Sequence, residues 1–200
     1  EDCKKSSTIR AIFLSGAGDA FSAGGDVKDM ASREDNASLQ EKTNSLRRIM
    51  GVSELLYSLP IPTISIINGP AAGAAFAIAL SCDMRIATDN AKFVTAFSKI
   101  GFSGDFGGSF FLTKIVGTAK ARELYYLSEM INAEEALKLG IVSNVIEKNT
   151  IDKYVENMKL KFQNLPPIAI KYMKKNLNNA ELGNLDLSLN DEALYMMICS

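Results

Sequence analysis

Two glycine-rich segments carry most of the chemistry that this sequence could perform. The first extends from Gly16 to Asp26, and the second is Asn68-Gly-Pro-Ala-Ala-Gly-Ala-Ala-Phe-Ala77. The second segment follows the apolar run 63–67, which predicts a strand that turns into the start of a helix made of small residues. The first amides of a helix have no partner inside it, so they could stabilise an oxygen that gains negative charge. A tightly packed core helix is the alternative interpretation.

The residue types that are absent restrict the possible reactions. The sequence has no histidine, which excludes Ser-His-Asp and Cys-His catalysis and the commonest transition-metal ligand. Gly16-x-Gly18 is followed by Phe21 where a dinucleotide fingerprint needs a third glycine, and no Gly-Lys-Ser/Thr motif occurs. The three cysteines are far apart and predict ordinary thiols, with neither a disulfide nor a zinc site.

Composition indicates one globular domain with a substantial core. The 200 residues are 47% hydrophobic and 22% charged, with a net charge of −1. This balance gives no reason to expect nucleic acid or an anionic membrane as a partner. No apolar run is long enough to cross a bilayer and the N-terminus does not look like a leader, so we expect a cytoplasmic protein, or an organelle-matrix protein in a eukaryote.

Apolar periodicity and turn residues predict alternating strands and helices. The predicted strands are residues 9–14, 63–67, 84–88, 92–94 and 141–146. The predicted helices are 38–58, the small-residue segment from 71 to about 83, 110–116, 118–127, 133–139 with a capping box at Asn132-Glu135, 152–163, 166–178 and 185–198. This alternation favours a layered α/β domain whose strands are largely parallel.

Taken together, these segments resemble the crotonase, or enoyl-CoA hydratase/isomerase, superfamily. The matching segments are residues 16–28, 68–74, 101–117 and 133–142, so the resemblance extends over nearly the whole chain. It implies a crotonase-like spiral of ββα turns over residues 1–147. A helical trimerisation region, 148–200, continues the same unit. Both ends look truncated beside the family pattern, and we expect a homotrimer or hexamer.

The resemblance also implies an acyl-CoA substrate, with no cofactor beyond the coenzyme A of that substrate and no metal. By position, the amides of Ala23 and Ala74 correspond to the two donors of the family's oxyanion hole, and Ala74 replaces the usual glycine. Asp26 could equally be a turn or cap residue. The implied contacts to substrate and coenzyme A are Ser22, Gly24, Gly25, Asp26, Val27, Gly73, Ala77, Phe97 and Phe102.

One acid stands out as the candidate catalytic residue. The two glutamates of the family's hydratases correspond to Ala77 and Phe97, which cannot transfer protons, whereas Asp105 occupies a position that is acidic in several non-hydratase members. Aromatic neighbours would raise the pKa of Asp105 and a helix start would lower it. Asp105 could instead simply cap a helix that begins at residue 106. We interpret it as the acid–base group of a double-bond isomerase.

Other functions stay open at this point. Within the same family the chain could be a hydratase or dehydratase, or could isomerise or substitute a ring substrate through Asp105. The phenylalanines around residues 97–111 suit a ring but are equally typical of a core. Tyr125 could line the acyl end, or pack against a helix face. A non-catalytic acyl-CoA-binding protein would also fit the loss of both glutamates.

Overall fold

The computed structural model describes residues 8–25 and 37–200. Its strands are β1 (Ile12–Ser15), β2 (Thr63–Ile67), β3 (Ala71–Ala72), β4 (Met84–Thr88), β5 (Lys92–Val94), β6 (Ile131–Asn132) and β7 (Asn144–Ile146). Its α-helices are α1 (Leu39–Ser58), α2 (Ala74–Leu80), α3 (Gly108–Leu127), α4 (Ala133–Lys138), α5 (Ile151–Gln163), α6 (Pro167–Ala180) and α7 (Leu185–Cys199). Short 3₁₀ helices occupy Phe97–Ile100 and Lys148–Thr150.

The central sheet is parallel, as the alternation of strands and helices predicts. Its strand order is β1-β2-β4-β7, and a smaller sheet has the order β3-β5-β6. In register, Phe13 pairs with Ile64, and Ile66 pairs with Ile86. All five residues of β2 are buried, as expected for a strand that is covered on both faces. The predicted α/β class is therefore confirmed.

Successive residues of β2 contribute to different hydrophobic clusters, because side chains alternate across a strand. Ile67 packs in a cluster with Phe76 of α2 and Leu112 of α3. Ile64 and Ile66 pack in the other cluster, which includes residues of α5. The sheet thus has α2 and α3 on one face and α5 on the other. The two glycine-rich segments begin directly after β1 and β2, at the carboxyl ends of these strands.

Local signals fix most helix boundaries. Ser38 and Glu41 form the capping box that starts α1, and Asn132 and Glu135 form the one that starts α4, as predicted. The predicted break between residues 116 and 118 is also present, since Gly117 interrupts α3 with φ 78° and ψ 165°. Within residues 8–25 and 37–200, no helix is long and apolar enough to span a membrane.

Several predicted bounds differ from the structure: β1 begins at Ile12 instead of residue 9, α3 begins at Gly108 instead of residue 110, and two further differences have a clear tertiary cause. The small-residue helix was expected from residue 71, but Ala71 and Ala72 form β3 because they pair with Phe93 and Val94; α2 begins at Ala74. The last strand was expected from residue 141, but the amides of Ile141 and Val142 both bond to the carbonyl of Ala136 and close the end of α4 instead. Tertiary pairing decides both cases.

Candidate active site

The two glycine-rich segments lie side by side. The amides of Phe21 and Ser22 donate to the carbonyl of Pro70 at 3.0 and 3.2 Å, and the amide of Ala72 donates to the carbonyl of Ser22 at 3.1 Å. Asn68 adds a side-chain clamp, because its Nδ2 donates to the carbonyls of Gly16 and Gly18 at 3.1 and 2.8 Å. The first segment is therefore held along the second one by short hydrogen bonds.

This pairing brings the backbone after Ala23 against the start of α2. Gly24 has φ 89°, and a Cβ placed on it would lie 2.8 Å from the carbonyl oxygen of Ala72 and 3.7 Å from the amide nitrogen of Ala74. Only glycine fits such an approach in that conformation. Within the described residues, neither Ala23 nor Ala74 donates its amide to a backbone carbonyl, and their role as oxyanion donors stays a prediction.

The other predicted contacts differ in exposure. Ser22 and Gly25 are exposed, and Ser22 Oγ accepts the amide of Gly24 at 3.2 Å. Gly73 caps α2 with φ 53° and packs against the ring of Phe97. Ala77 and Phe97 are buried, whereas Phe102 is exposed. Asp26 and Val27 lie outside the described residues.

The carboxyl group of Asp105 is partly enclosed and lacks a partner. Its Oδ1 is one of three buried side-chain polar atoms among the described residues that make no hydrogen bond; the others belong to Ser53 and Asn176. Only the atom of Asp105 is ionisable. Because buried polar groups are normally paired, an unpaired carboxylate oxygen requires an explanation.

Asp105 does not cap the helix that follows it. The helix α3 starts at Gly108, its N-cap is Gly107 with φ 76°, and no side chain caps it. The alternative of a simple capping role is therefore wrong. Burial raises the pKa of Asp105 above its ordinary value, because desolvation disfavours the charged form.

Tyr125, in the second half of α3, packs beside Phe97 and is close enough to Asp105 to feel its charge. Its ring stacks on Phe97, with 6.1 Å between the centroids and 15° between the planes. A Cβ on Gly108 would lie 2.5 Å from the Tyr125 hydroxyl and 3.0 Å from the Cβ of Ala77. Gly108, Tyr125 and Ala77 therefore meet at one point. Burial and the charge of Asp105 raise the pKa of Tyr125 to about 12, which keeps the phenol protonated.

Sequence patterns did not single out this position of Tyr125. From the sequence we predict Tyr125 either at the acyl end or on a packed helix face. The feature that could have indicated its position is the pair Gly104 and Gly108. Both glycines leave room for the tyrosine, since a Cβ on Gly104 would lie 3.0 Å from its ring. In this fold, Gly104 and Gly108 therefore leave the space that the side chain of Tyr125 occupies.

Backbone strain is concentrated around the same cluster. Among the described residues, the non-glycine residues with positive φ are Ala96 (62°), Phe106 (48°) and Ser128 (46°). Ala96 precedes Phe97, Phe106 follows Asp105, and Ser128 lies three residues after Tyr125. Such conformations cost about 1–3 kcal/mol each and tend to occur at functional sites.

The larger cavities lie elsewhere. One of about 420 Å³ is lined by residues such as Tyr57, Arg85 and Lys174. Another of about 490 Å³ is lined by residues such as Ser15 and Lys148. Neither contains Ala23, Ala74 or Asp105 in its lining, so the candidate site is defined by its donors and its acid, not by an enclosed cavity.

Comparison with known proteins places this arrangement in a family. The profile of enoyl-CoA hydratase/isomerase matches residues 1–193. A 1,2-epoxyphenylacetyl-CoA isomerase of Escherichia coli is 33% identical over 98% of this chain and 74% of its own length. A short-chain-enoyl-CoA hydratase of Clostridium acetobutylicum is 32% identical over 96% of this chain and 72% of its own length.

Solved structures agree with the sequence matches. The crystal structure of an enoyl-CoA hydratase from Polaromonas sp. JS666 superposes with a TM-score of 0.88, at 30% identity, covering 94% of this chain and 73% of the other. The resemblance that the glycine-rich segments indicate is thereby confirmed, and so is the crotonase fold. This chain belongs to the enoyl-CoA hydratase/isomerase, or crotonase, family.

Proposed function

We propose that this protein isomerises the double bond of an unsaturated acyl-CoA thioester, with Asp105 carrying the proton. The observation that supports this most is the buried, unpaired Oδ1 of Asp105, whose pKa is raised by burial. A carboxylate that is poorly solvated and unpaired is a stronger base than an exposed one, and its raised pKa lies nearer to working pH. It is also suited to return the proton that it takes.

The reaction needs one base and one anion-binding site. Asp105 removes a proton from C2 of a 3-enoyl thioester, and the electron pair of that C–H bond moves toward the thioester carbonyl. The amides of Ala23 and Ala74 donate to the resulting oxyanion, each contributing about 3–4 kcal/mol if well aligned. The electron pair then returns through the conjugated system, C4 takes the proton from Asp105, and the double bond lies between C2 and C3.

The same residues argue against hydration as the main activity. Water addition by the family's usual route uses two glutamates, and Ala77 and Phe97 stand at those positions. Hydratase remains the second candidate because relatives carry both names. It would require Asp105, or another acid that faces the thioester, to activate water in place of those glutamates.

The contacts to coenzyme A form part of the same proposal. Ser22, Gly24 and Gly25 lie on the first glycine-rich segment, in which Ser22 pairs with Ala71 shortly before α2. The residues Ser22 and Gly25 are exposed and could contact a ligand. Asp26 and Val27 would continue these contacts. A thioester bound here would run between the two glycine-rich segments, so that its carbonyl oxygen meets the amides of Ala23 and Ala74.

The proposal extends to the assembly of copies into a trimer or hexamer through the C-terminal helices. The helix α7 exposes a series of large apolar side chains, and their exposure supports a surface that is covered by a second copy. These residues are Leu185, Leu187, Leu189, Leu194, Met196, Met197 and Ile198. Sedimentation equilibrium on the purified protein tests this, and a strictly monomeric protein would contradict it.

The direct test is the turnover of 3-enoyl-CoA thioesters by wild type and by Asp105→Asn. We expect isomerisation by the wild type and a loss of kcat of about a thousandfold in the variant, as for removal of a general base. Asp152→Asn is the matched control, because Asp152 is an exposed acid in the first turn of α5. It should retain wild-type turnover.

Three outcomes would reject the proposal. Undiminished turnover by Asp105→Asn would remove this acid from the mechanism. A wild type that hydrates 2-enoyl-CoA but does not isomerise 3-enoyl-CoA would indicate a hydratase. Tight binding of acyl-CoA without turnover, and without exchange of the C2 hydrogen into deuterated water, would indicate a binding protein.

A further inference from the structure

The proposed isomerisation mechanism gives no role to the hydroxyl group of Tyr125, which lies at the candidate site. It forms no hydrogen bond with any described residue, and its ring is only half-buried. The hydroxyl oxygen lies 2.5 Å from the position that a Cβ on Gly108 would take, and that Cβ would lie 3.0 Å from the Cβ of Ala77. It therefore fills the space between α2 and the start of α3, three residues from Asp105.

The protein holds this ring in place from several sides. Phe97 stacks on one face of the ring, and Gly104 leaves room for its edge. The last turn of α3 is tied to the segment before Phe97, because Thr95 Oγ1 donates to the carbonyl of Leu124 at 2.8 Å and contacts Ser128 Oγ at 3.0 Å. Both Thr95 and Ser128 are buried, so the half-buried Tyr125 is held against the core by buried neighbours.

A filled space beside Asp105 has a chemical consequence. The amides of the oxyanion hole would stabilise the dienolate that forms when Asp105 takes a proton from C2, and equally the 3-hydroxy enolate that forms when water adds at C3 of a 2-enoyl thioester. Hydration additionally needs a water molecule that lies within reach of C3 and of a base. Exclusion of water from a site suppresses such side reactions. A phenol that stays protonated cannot serve as the base for that water.

We propose that Tyr125 determines the reaction outcome, because its phenol occupies the space beside Asp105 that an attacking water molecule would need. Removing that bulk should convert part of the activity from proton transfer to hydration. This inference rests on the proposed isomerase function and deepens it, since it adds to the loss of the two glutamates a second reason why water does not react: one side chain that excludes it. Tyr125 is thus a specificity-determining residue.

The test measures two reactions separately in Tyr125→Leu, Tyr125→Phe and wild type. Hydration is measured from 2-enoyl-CoA as incorporation of oxygen from labelled water into 3-hydroxyacyl-CoA, and isomerisation is measured from 3-enoyl-CoA. We expect the ratio of hydration to isomerisation to rise about tenfold or more in Tyr125→Leu. In Tyr125→Phe, which vacates only the volume of the hydroxyl group, we expect a smaller rise of about threefold.

Tyr126→Leu is the matched control, because Tyr126 is the neighbouring tyrosine of α3 and is 71% exposed; its ratio should equal that of wild type. A folded Tyr125→Leu with the wild-type ratio would overturn the inference and leave the isomerase proposal intact. If Tyr125→Leu does not fold, an unchanged ratio in Tyr125→Phe overturns it. A wild type without isomerase activity rejects the proposed function instead, and hydration from 2-enoyl-CoA is still measurable in that case.

Discussion

Asp105 and Asp83 are two partly buried acids that the protein treats in opposite ways. Asp83 Oδ2 accepts the amide and hydroxyl of Thr63 at 2.8 and 3.1 Å, and it pairs with Lys174 Nζ at 2.8 Å. Lys174 is 8% exposed and also donates to two backbone carbonyls. Asp105 Oδ1 is buried and has no hydrogen-bond partner among residues 8–25 and 37–200.

The difference agrees with separate roles for the two acids. The Asp83 pair joins α6 to the core, and removal of Asp83 would leave the buried charge of Lys174 without its counterion. The unpaired Asp105 weakens the folded state slightly, which is the usual situation of a group whose pKa is tuned for catalysis. Changing one acid at a time tests whether the two acids have these separate roles.

The largest effect should come from Asp105→Asn, which separates activity from stability. We expect isomerisation to fall about a thousandfold, while the thermal midpoint at neutral pH rises. The reason is that burial raises the pKa of Asp105 in the folded state. Folding stability is therefore lost as the pH increases through the range between the ordinary and the raised pKa, and the neutral amide avoids that loss. Calorimetry beside the turnover assay measures both, and a lowered midpoint would contradict the account.

The converse variant, Asp83→Asn, should affect stability and not the chemistry. It leaves the ammonium group of Lys174 without its counterion in a buried position, which we expect to lower the free energy of unfolding by about 3 kcal/mol. Urea denaturation measures this change. Glu54→Gln is the control, because its pair with Arg47 is more than 60% exposed on both sides and should contribute less than about 1 kcal/mol. Equal losses in the two variants would mean that burial of the Asp83 pair is irrelevant.

A smaller effect is expected from Gly24→Ala, which tests the oxyanion donors. A Cβ at position 24 would meet the carbonyl oxygen of Ala72 at 2.8 Å, so the amide of Ala23 must shift. We expect kcat to fall about thirtyfold, as for partial loss of one donor. Gly18→Ala is the control: Gly18 has φ 74° but nothing within 4 Å of its Cβ position. It shares the backbone strain and should keep its activity; similar losses in both would assign the effect to strain alone.

The pH dependence should give the smallest effect. Asp105 acts in its basic form, so kcat/KM should fall about tenfold per pH unit below the pKa of Asp105. This decline should begin above the pH expected for an ordinary aspartate, because burial raises that pKa. Tyr125, with a pKa of about 12, should add no second limb at neutral or mildly alkaline pH. A profile that is flat down to the ordinary aspartate pKa would show that Asp105 does not limit the rate.

The sequence predicts the elements whose signals are local. The helix α1 begins at its capping box with Ser38 and ends before Pro60, and the strands β2 and β4 have their predicted bounds. It fails at Ala71 and Ala72, since small residues suit a helix but pairing with β5 makes them a strand. Such pairing depends on contacts distant in sequence, which periodicity does not encode.

The site is predictable in part for the same reason. The two glycine-rich segments could be identified because their residue types are unusual, and Asp105 because the resemblance points to it. The direction of the pKa shift could not be predicted, since a helix start and an apolar environment have opposite effects on a carboxyl group. The contribution of Tyr125 depends on its stacking against Phe97, 28 residues earlier in the chain, and no spacing rule predicts that contact.

The central claim, that one carboxyl group takes a proton from C2 and returns it at C4, can be tested with 3-enoyl-CoA deuterated at C2. In a single turnover, the wild type should produce 2-enoyl-CoA that carries part of the label at C4. Asp105→Asn should neither transfer the label nor exchange it with water. If Asp105→Asn exchanged the C2 label as fast as wild type, another base would be at work and the account of this site would be wrong.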